Sequence, residues 1–172
     1  MINESAQQSS DGKDNSAQNT NRVRRSRRSA LSGPAADQPT AAAPPVTVLI
    51  VEDSPIVRER LAALIAAVRN SLIVGLAADG HQALALFRQH RPDAVVLDIE
   101  LPGIDGIELL KQFKREHPPC LVIMLTTHSF KELKERCVAL KADYFFDKFS
   151  EFEQVAEVLS TARSRRAVEG EL

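Results

Sequence analysis

Short apolar runs alternate with longer amphipathic segments over residues 46–163 of the sequence. Val46–Val51 is apolar except for Thr47 and rich in β-branched residues, which predicts a strand buried on both faces. Further apolar runs predict strands at Leu72–Ala77, Ala94–Leu97, Leu121–Leu125 and Tyr144–Phe146. The segments that follow the strands carry apolar residues at helical spacing, which predicts helices at Pro55–Val68, Gln82–Gln89, Ile107–Glu116, Phe130–Leu140 and Phe152–Arg163.

This alternation of strand and helix predicts a (βα)5 domain of the α/β class. Right-handed crossovers between successive strands would give a doubly wound parallel sheet of five strands with helices on both faces. In open sheets of this kind, ligands bind outside the carboxyl ends of the strands. The residues that directly follow each predicted strand are therefore the first candidates for chemistry.

Residues 1–45 differ in composition from the rest of the chain. They are rich in Ser, Asn, Gln, Ala and Pro, and their large aliphatic residues are Ile2, Val23 and Leu31. Such a segment buries too little apolar surface to offset its ordering entropy, which predicts a disordered tail that ends in a Pro/Ala linker at 41–45. The predicted domain boundaries are thus a tail over 1–45, a globular domain over 46–164 and a short C-terminal tail over 165–172.

Composition excludes several classes of protein. Hydrophobic residues make up 44% and charged residues 26% of the 172 residues, which is typical of a globular domain. No run of about 18 uncharged apolar residues is present, so we expect no membrane insertion. The first 14 residues lack the apolar core of a secretory signal. Cys120 and Cys137 have no metal-ligand spacing, and a cytoplasmic location fits best.

The net charge of −1 conceals an uneven distribution. Residues 1–45 have six basic and four acidic residues, and five of the basic residues are arginines within Arg22–Arg28. Such a cluster can bind nucleic acid through counterion release. It has no interleaved aromatic residues for base stacking, so a solvated tail is favoured and nucleic-acid binding is kept as an alternative.

Chemically reactive side chains follow four of the predicted strands. Glu52 and Asp53 follow the first strand, Asp98 the third, Thr126 the fourth and Lys148 the fifth. Three carboxylates that converge on one sheet edge resist joint ionisation unless a cation joins them, and oxygen ligands on loops suit Mg²⁺ or Mn²⁺. A divalent ion, an ammonium and a hydroxyl around one carboxylate are what phosphoryl transfer to that carboxylate requires.

These motifs give the sequence a specific family resemblance. The runs Val48–Asp53 and Val95–Gly106, the hydroxyl of Thr126 and the pair Asp147-Lys148 occur in this order, each at a strand end. Together they resemble a response-regulator receiver domain (CheY-like) of the stand-alone, single-domain type, over about residues 46–164. The resemblance implies the flavodoxin-like strand order 2-1-3-4-5.

The resemblance also implies roles for individual residues. Asp98 matches the aspartate that accepts a phosphoryl group from a histidine kinase or a phosphotransfer protein, and it belongs to the metal site. Asp53 matches the direct Mg²⁺ ligand, Glu52 an acid that acts through water, and Glu100 a ligand through its backbone carbonyl. Lys148 matches the lysine that pairs with the phosphoryl group.

The resemblance implies a signalling output rather than catalytic turnover. Thr126 matches a hydroxyl that contacts the phosphoryl group and moves towards it, and Phe145 matches an aromatic switch position, with packing in the core as the competing interpretation. Pro102 and Gly106 match the loop after the acceptor. The face formed by the fourth helix, fifth strand and fifth helix would then control a downstream protein partner. A monomer or a phosphorylation-dependent dimer is expected.

Several positions depart from the family pattern. Lys148 is followed by Phe149 where the family has proline, often with a cis bond, which is costly without proline. Lys141 stands where glycine is common. Glu100 and His128 lie two residues after Asp98 and Thr126, at positions that influence the rate of phosphate loss.

An enzymatic alternative remains open at this stage. Asp98-Ile99-Glu100 is similar to the motif of phosphatases that use an aspartyl nucleophile with a second acid two residues later. Those enzymes carry aspartate at the second position, so Glu100 disfavours this interpretation. Steady turnover of a phosphate ester would distinguish it from a receiver, whose chemistry is limited to its own phosphorylation and dephosphorylation.

Overall fold

The computed structural model describes residues 43–162, in which five strands alternate with five helices. The strands are β1 (Val46–Val51), β2 (Ser71–Ala77), β3 (Ala94–Leu97), β4 (Leu121–Thr126) and β5 (Tyr144–Asp147). The helices are α1 (Pro55–Ala66), α2 (Gly80–His90), α3 (Gly106–Glu116), α4 (Lys131–Ala139) and α5 (Gln154–Thr161). Every predicted element in this range is confirmed, with differences of a few residues at some ends.

Three helices are shorter than predicted, α4 by one residue at each end and the other two for local reasons. α1 was predicted to continue to Val68, but it ends at Ala66 because the chain turns before Asn70, which has a φ of 64°. α5 was predicted to begin at Phe152, but Phe152 and Glu153 form a turn ahead of Gln154. The start of α1 agrees with the prediction, since Pro55 follows Ser54, whose side chain accepts a hydrogen bond from the Val57 amide.

The five strands form one parallel sheet in the order β2-β1-β3-β4-β5, so the predicted flavodoxin-like topology is confirmed. β1 and β3 are buried along their whole length, as the apolar runs predicted. Alternate residues of the central strands point into two hydrophobic clusters. α2, α3 and α4 cover one of these clusters, and α1 and α5 cover the other.

Some predictions concern residues outside the described range. The predicted tail before residue 43, including the Arg22–Arg28 cluster, and the C-terminal tail over 165–172 both lie there. Ala43, Pro44 and Pro45 are described, and they are exposed and without regular secondary structure. Within the described residues, no helix is long and apolar enough to cross a membrane.

Candidate functional site

Strand register brings the candidate residues to one edge of the sheet. Val51 of β1 pairs with Leu97 of β3, so the residues that follow them, Glu52 and Asp98, are neighbours. The Asp98 amide donates a hydrogen bond to the Val51 carbonyl oxygen at 2.9 Å. On the other side of β3, the Lys148 amide donates to the carbonyl oxygen of Thr126 at 2.8 Å. The predicted convergence of these strand ends is therefore present.

Three carboxylates and one ammonium form the centre of the site. Glu52 and Asp98 are buried, Asp53 is exposed, and one carboxylate oxygen from each lies within 4.8 Å of the others. The Lys148 ammonium reaches Glu52 Oε2 at 2.7 Å and Asp98 Oδ2 at 2.8 Å. Three negative groups against one positive group leave an excess of negative charge, which a divalent cation would balance.

Burial dominates the electrostatics of the two inner carboxylates. Desolvation raises the pKa of Asp98 and the pKa of Glu52, although the hydrogen bonds from Lys148 act in the opposite direction. Burial alone would lower the pKa of Lys148, but its hydrogen bonds to Asp98 and Glu52 outweigh that effect and raise it. The two buried carboxyl groups thus hold protons more tightly than solvated carboxyl groups do, because burial disfavours their ionised forms.

The two buried acids are held by donors nearby in sequence. The Ser54 amide donates to Glu52 Oε1 at 3.2 Å, and the Glu100 amide donates to Asp98 Oδ1 at 3.3 Å. From the first turns of α1, the Arg58 guanidinium donates to the carbonyl oxygen of Glu52 at 2.6 Å. Arg58 is not predictable as part of the site, because a surface arginine in an amphipathic helix carries no signal that it holds a loop.

The loop between β4 and α4 contacts the loop after β3 through side chains. Thr126 is fully buried, and its hydroxyl oxygen accepts a hydrogen bond from the His128 amide at 3.1 Å. The Glu100 carboxylate lies 2.9 Å from His128 Nδ1 and accepts from the Thr127 hydroxyl at 3.3 Å. Glu100 and His128, which lie two residues after Asp98 and Thr126, are thus in direct contact with each other.

Phe145 lies in the core rather than at the surface. It is 6% exposed and belongs to the cluster beneath α2, α3 and α4, whereas its neighbour Tyr144 is 41% exposed. Val138 and Tyr144 help to line a groove of about 360 Å³ between α4 and β5. The position of Phe145 agrees with the interpretation that it packs in the core. The role of Phe145 as a switch stays a prediction.

Helix α3 begins directly against the loop after β3, which starts with Asp98. The Gly106 amide donates to the Ile99 carbonyl oxygen at 2.9 Å. A Cβ at Gly106 would overlap the Asp98 carbonyl oxygen and would lie 2.7 Å from Ile99 Cα. Glycine at this position therefore allows the helix to approach Asp98, which gives a physical reason for the match of Gly106 to the family loop.

Comparison with known proteins identifies the family. A model of the response regulator receiver domain family matches residues 48–160, which is well over half of the chain. The chain belongs to this family. Receiver domains accept phosphate from histidine kinases, and the resemblance inferred from the strand-end motifs is confirmed.

Relatives of this receiver domain belong to proteins with different outputs. The chain is 41% identical over 85 residues to a protein-glutamate methylesterase/protein-glutamine glutaminase of Anaeromyxobacter dehalogenans, a match that covers 49% of this chain and 24% of that protein. It is 35% identical over 122 residues to the probable transcriptional regulatory protein TcrX of Mycobacterium tuberculosis, covering 69% and 50%. The chain thus spans between about a quarter and half the length of these relatives.

A solved receiver has the same fold. The structure of the CheX-CheY-BeF3-Mg complex from Borrelia burgdorferi matches with a TM-score of 0.62 and 29% identity, covering 68% of this chain and 89% of that chain. This likeness agrees with the strand order of the sheet.

Proposed function

We propose that this receiver accepts a phosphoryl group on Asp98 in a Mg²⁺-dependent reaction. The observation that carries the proposal is the contact between Asp98 Oδ2 and the Lys148 ammonium at 2.8 Å, inside a cluster of three carboxylates. A lone buried carboxylate would be protonated and poorly nucleophilic, whereas a paired lysine favours the ionised form. Lys148 pairs with Glu52 in the same way, and the match of Asp98 to the family's acceptor position is what makes Asp98 the proposed nucleophile.

The cation would be held by Asp53 and Asp98, with Glu52 acting through water and the Glu100 backbone carbonyl as a further ligand. When bound, Mg²⁺ neutralises charge on the transferred phosphoryl group. A carboxylate oxygen of Asp98 forms the new bond to phosphorus as the bond from phosphorus to the donor atom breaks, and the donor keeps that electron pair. Lys148 stabilises the charge on the phosphoryl oxygens, and the Thr126 hydroxyl donates a hydrogen bond to one of them.

The donor that we propose is a histidine kinase or a histidine phosphotransfer protein. Large apolar side chains lie at the start of α1, close to Asp53 in sequence, and in the turn after β5, next to Lys148. Ile56 is 80% exposed and Phe149 is 83% exposed, and both sit at the edge of the sheet where Asp98 lies. Exposed apolar residues around a reactive group suit a protein partner that presents its phosphohistidine to the site.

The output that we propose is a change in the α4–β5–α5 face that controls a downstream protein. Thr126 and Phe145 would transmit the change, because Thr126 ends β4, which pairs with the strand that precedes Asp98, and Phe145 is buried beneath α4. The chemistry of the chain is then limited to its own phosphorylation and dephosphorylation. A monomer or a phosphorylation-dependent dimer, and a cytoplasmic location, stay predictions.

The two alternatives from the sequence have weaker support. A phosphatase would use Glu100 as its second acid, but this carboxylate is engaged by His128 at 2.9 Å and by Thr127 at 3.3 Å. Steady release of phosphate from an ester would support the phosphatase. Binding of nucleic acid through Arg22–Arg28 stays a prediction, which salt-dependent binding of DNA by the full chain would test.

Intact mass after incubation with acetyl phosphate tests the proposal directly. We expect the wild-type chain to gain one phosphoryl adduct in the presence of Mg²⁺ and none in EDTA. Asp98→Asn should form no adduct, because an amide oxygen is a poor nucleophile and its neutral side chain does not balance the charge of the metal ion. The matched control is Asp79→Asn, which changes a helix-capping aspartate of the β2–α2 loop and should keep the adduct. An adduct on Asp98→Asn, or one of equal yield in EDTA, would contradict the proposal.

A further inference from the structure

The turn after β5 is built on Asp147, the residue before the lysine of the site. Asp147 Oδ1 accepts from the amides of Phe149 at 2.8 Å and Ser150 at 3.0 Å, and from the Ser150 hydroxyl at 3.1 Å. The Asp147 amide donates to Glu151 Oε2 at 2.9 Å, and the Glu151 amide returns a bond to the Asp147 carbonyl oxygen at 2.9 Å. These bonds close the turn around Lys148.

The same carboxylate reaches the neighbouring loop. Asp147 Oδ2 accepts from the Ser129 hydroxyl at 2.9 Å, which joins the turn to the β4–α4 loop. That loop also carries Thr127 and His128, the partners of Glu100. Backbone donors from Ser150 and Phe149, together with Ser129, hold the pKa of Asp147 below its ordinary value, so the carboxylate stays ionised and keeps these donors at neutral pH.

Beyond the bond from the Lys148 amide to the Thr126 carbonyl oxygen, other features of the turn provide little anchoring. Phe149 is 83% exposed and so does not fix the turn by packing, and the family proline is missing at this position. The described residues have no cis peptide bond, so the turn is built entirely from trans peptides. Lys148 reaches Asp98 through a flexible stem, and its ammonium sits at 2.8 Å only if its backbone is fixed.

We propose that Asp147 is a positioning residue that fixes the backbone of Lys148 and ties it to the β4–α4 loop through Ser129. In this chain it takes over the part that a proline would otherwise have in shaping the turn. The inference rests on the proposed function, because it presupposes that Lys148 assists phosphoryl transfer to Asp98. Asp147 touches none of the reacting groups and acts through Lys148.

The test compares two variants of the full chain by their rate of phosphorylation with acetyl phosphate at saturating Mg²⁺. Asp147→Ala removes all four accepted bonds, and we expect a rate about tenfold lower. Asp147→Asn keeps an acceptor oxygen for the Phe149 and Ser150 amides, and we expect a rate within about threefold of wild type. The Mg²⁺ affinity measured by calorimetry should stay unchanged in both, since the acidic cluster is intact. Asp79→Ala is the matched control for loss of a capping aspartate.

Three outcomes would overturn the inference: a wild-type rate in Asp147→Ala, an equal loss of rate in Asp147→Asn, or a loss of Mg²⁺ affinity that parallels the loss of rate. A measurement on the wild-type chain covers the case in which Asp147→Ala does not fold. The Phe149 and Ser150 amides should exchange hydrogen slowly by NMR if Asp147 holds them, and exchange at the rate of free peptides would overturn the inference. This readout needs no phosphorylation, so failure of the wild-type chain to form an adduct would count against the proposed function instead.

Discussion

Gly106 sets the distance between helix α3 and the backbone of Asp98. Since any Cβ there would overlap the Asp98 carbonyl oxygen, the helix can begin at this point only with glycine. We expect Gly106→Ala to lower the free energy of unfolding by about 3 kcal/mol, because backbone rather than a flexible side chain would have to move. Urea denaturation followed by circular dichroism measures this change.

The matched control is Gly75→Ala in β2. The nearest atoms to a Cβ there are Leu49 Cδ1 at 3.0 Å and Leu86 Cδ1 at 3.2 Å, both at the ends of flexible side chains. Its cost should be at most about 1 kcal/mol. Equal losses of unfolding free energy in the two variants would show that the close approach of Gly106 to the backbone of Asp98 adds nothing to stability.

Residues at strand ends could be predicted from the sequence, whereas their supports could not. Glu52, Asp98 and Lys148 follow apolar runs that predict strands from a few neighbouring residues alone. The parallel topology then brings these strand ends together. Ser129 and Asp147 lie 18 residues apart, and their bond depends on the exact path of two loops. Neither periodicity nor composition encodes that path. The sequence therefore shows Asp147 beside Lys148 but does not predict its hydrogen bond to Ser129.

At the scale of whole elements, helix α4 ends in a tight motif that explains one departure from the family. The Lys141 amide donates to the Val138 carbonyl oxygen and the Ala142 amide to that of Cys137, both at 2.9 Å, which is a Schellman motif. Lys141 has a φ of 68°, in the left-handed region that favours glycine. The preference for glycine before the fifth strand thus follows from how this helix ends.

Replacing Lys141 with glycine should stabilise the chain. Relief of the left-handed strain is partly offset by the greater entropy of glycine in the unfolded chain, so we expect a gain of about 0.5–1 kcal/mol in the free energy of unfolding. Thermal denaturation of Lys141→Gly and of Lys134→Gly compares the two sites. Lys134 lies inside α4, where glycine should cost about 1 kcal/mol. Destabilisation by both substitutions would contradict this account of the motif.

For the whole molecule, the acidic cluster makes stability depend on pH and on Mg²⁺. Burial raises the pKa of Asp98 and the pKa of Glu52, so the native state binds more protons than the unfolded chain between their ordinary and raised values. The free energy of unfolding therefore falls as the pH rises through that window. The pKa of Lys148 is also raised, and its contribution is lost only at alkaline pH, as the pH rises through the raised value.

A cation that binds the ionised cluster reverses this loss. At ten times its dissociation constant, Mg²⁺ should add about 1.4 kcal/mol to the free energy of unfolding near pH 8. The gain should shrink as the pH falls through the raised pKa values of Asp98 and Glu52, because protonated carboxyl groups do not bind the ion. Urea midpoints measured across this range, with NaCl at matched ionic strength in place of MgCl₂, separate binding from screening.

Asp98→Asn isolates the contribution of Asp98 to the dependence of stability on pH and Mg²⁺. The substitution removes one buried negative charge and leaves Glu52 paired with Lys148, whose atoms lie 2.7 Å apart. Without Mg²⁺ at pH 8 we expect the variant to be more stable than wild type by about 1 kcal/mol, and the gain from Mg²⁺ to be largely lost. A variant that is less stable than wild type under these conditions, yet keeps the full gain from Mg²⁺, would show that Asp98 neither strains the cluster nor binds the ion.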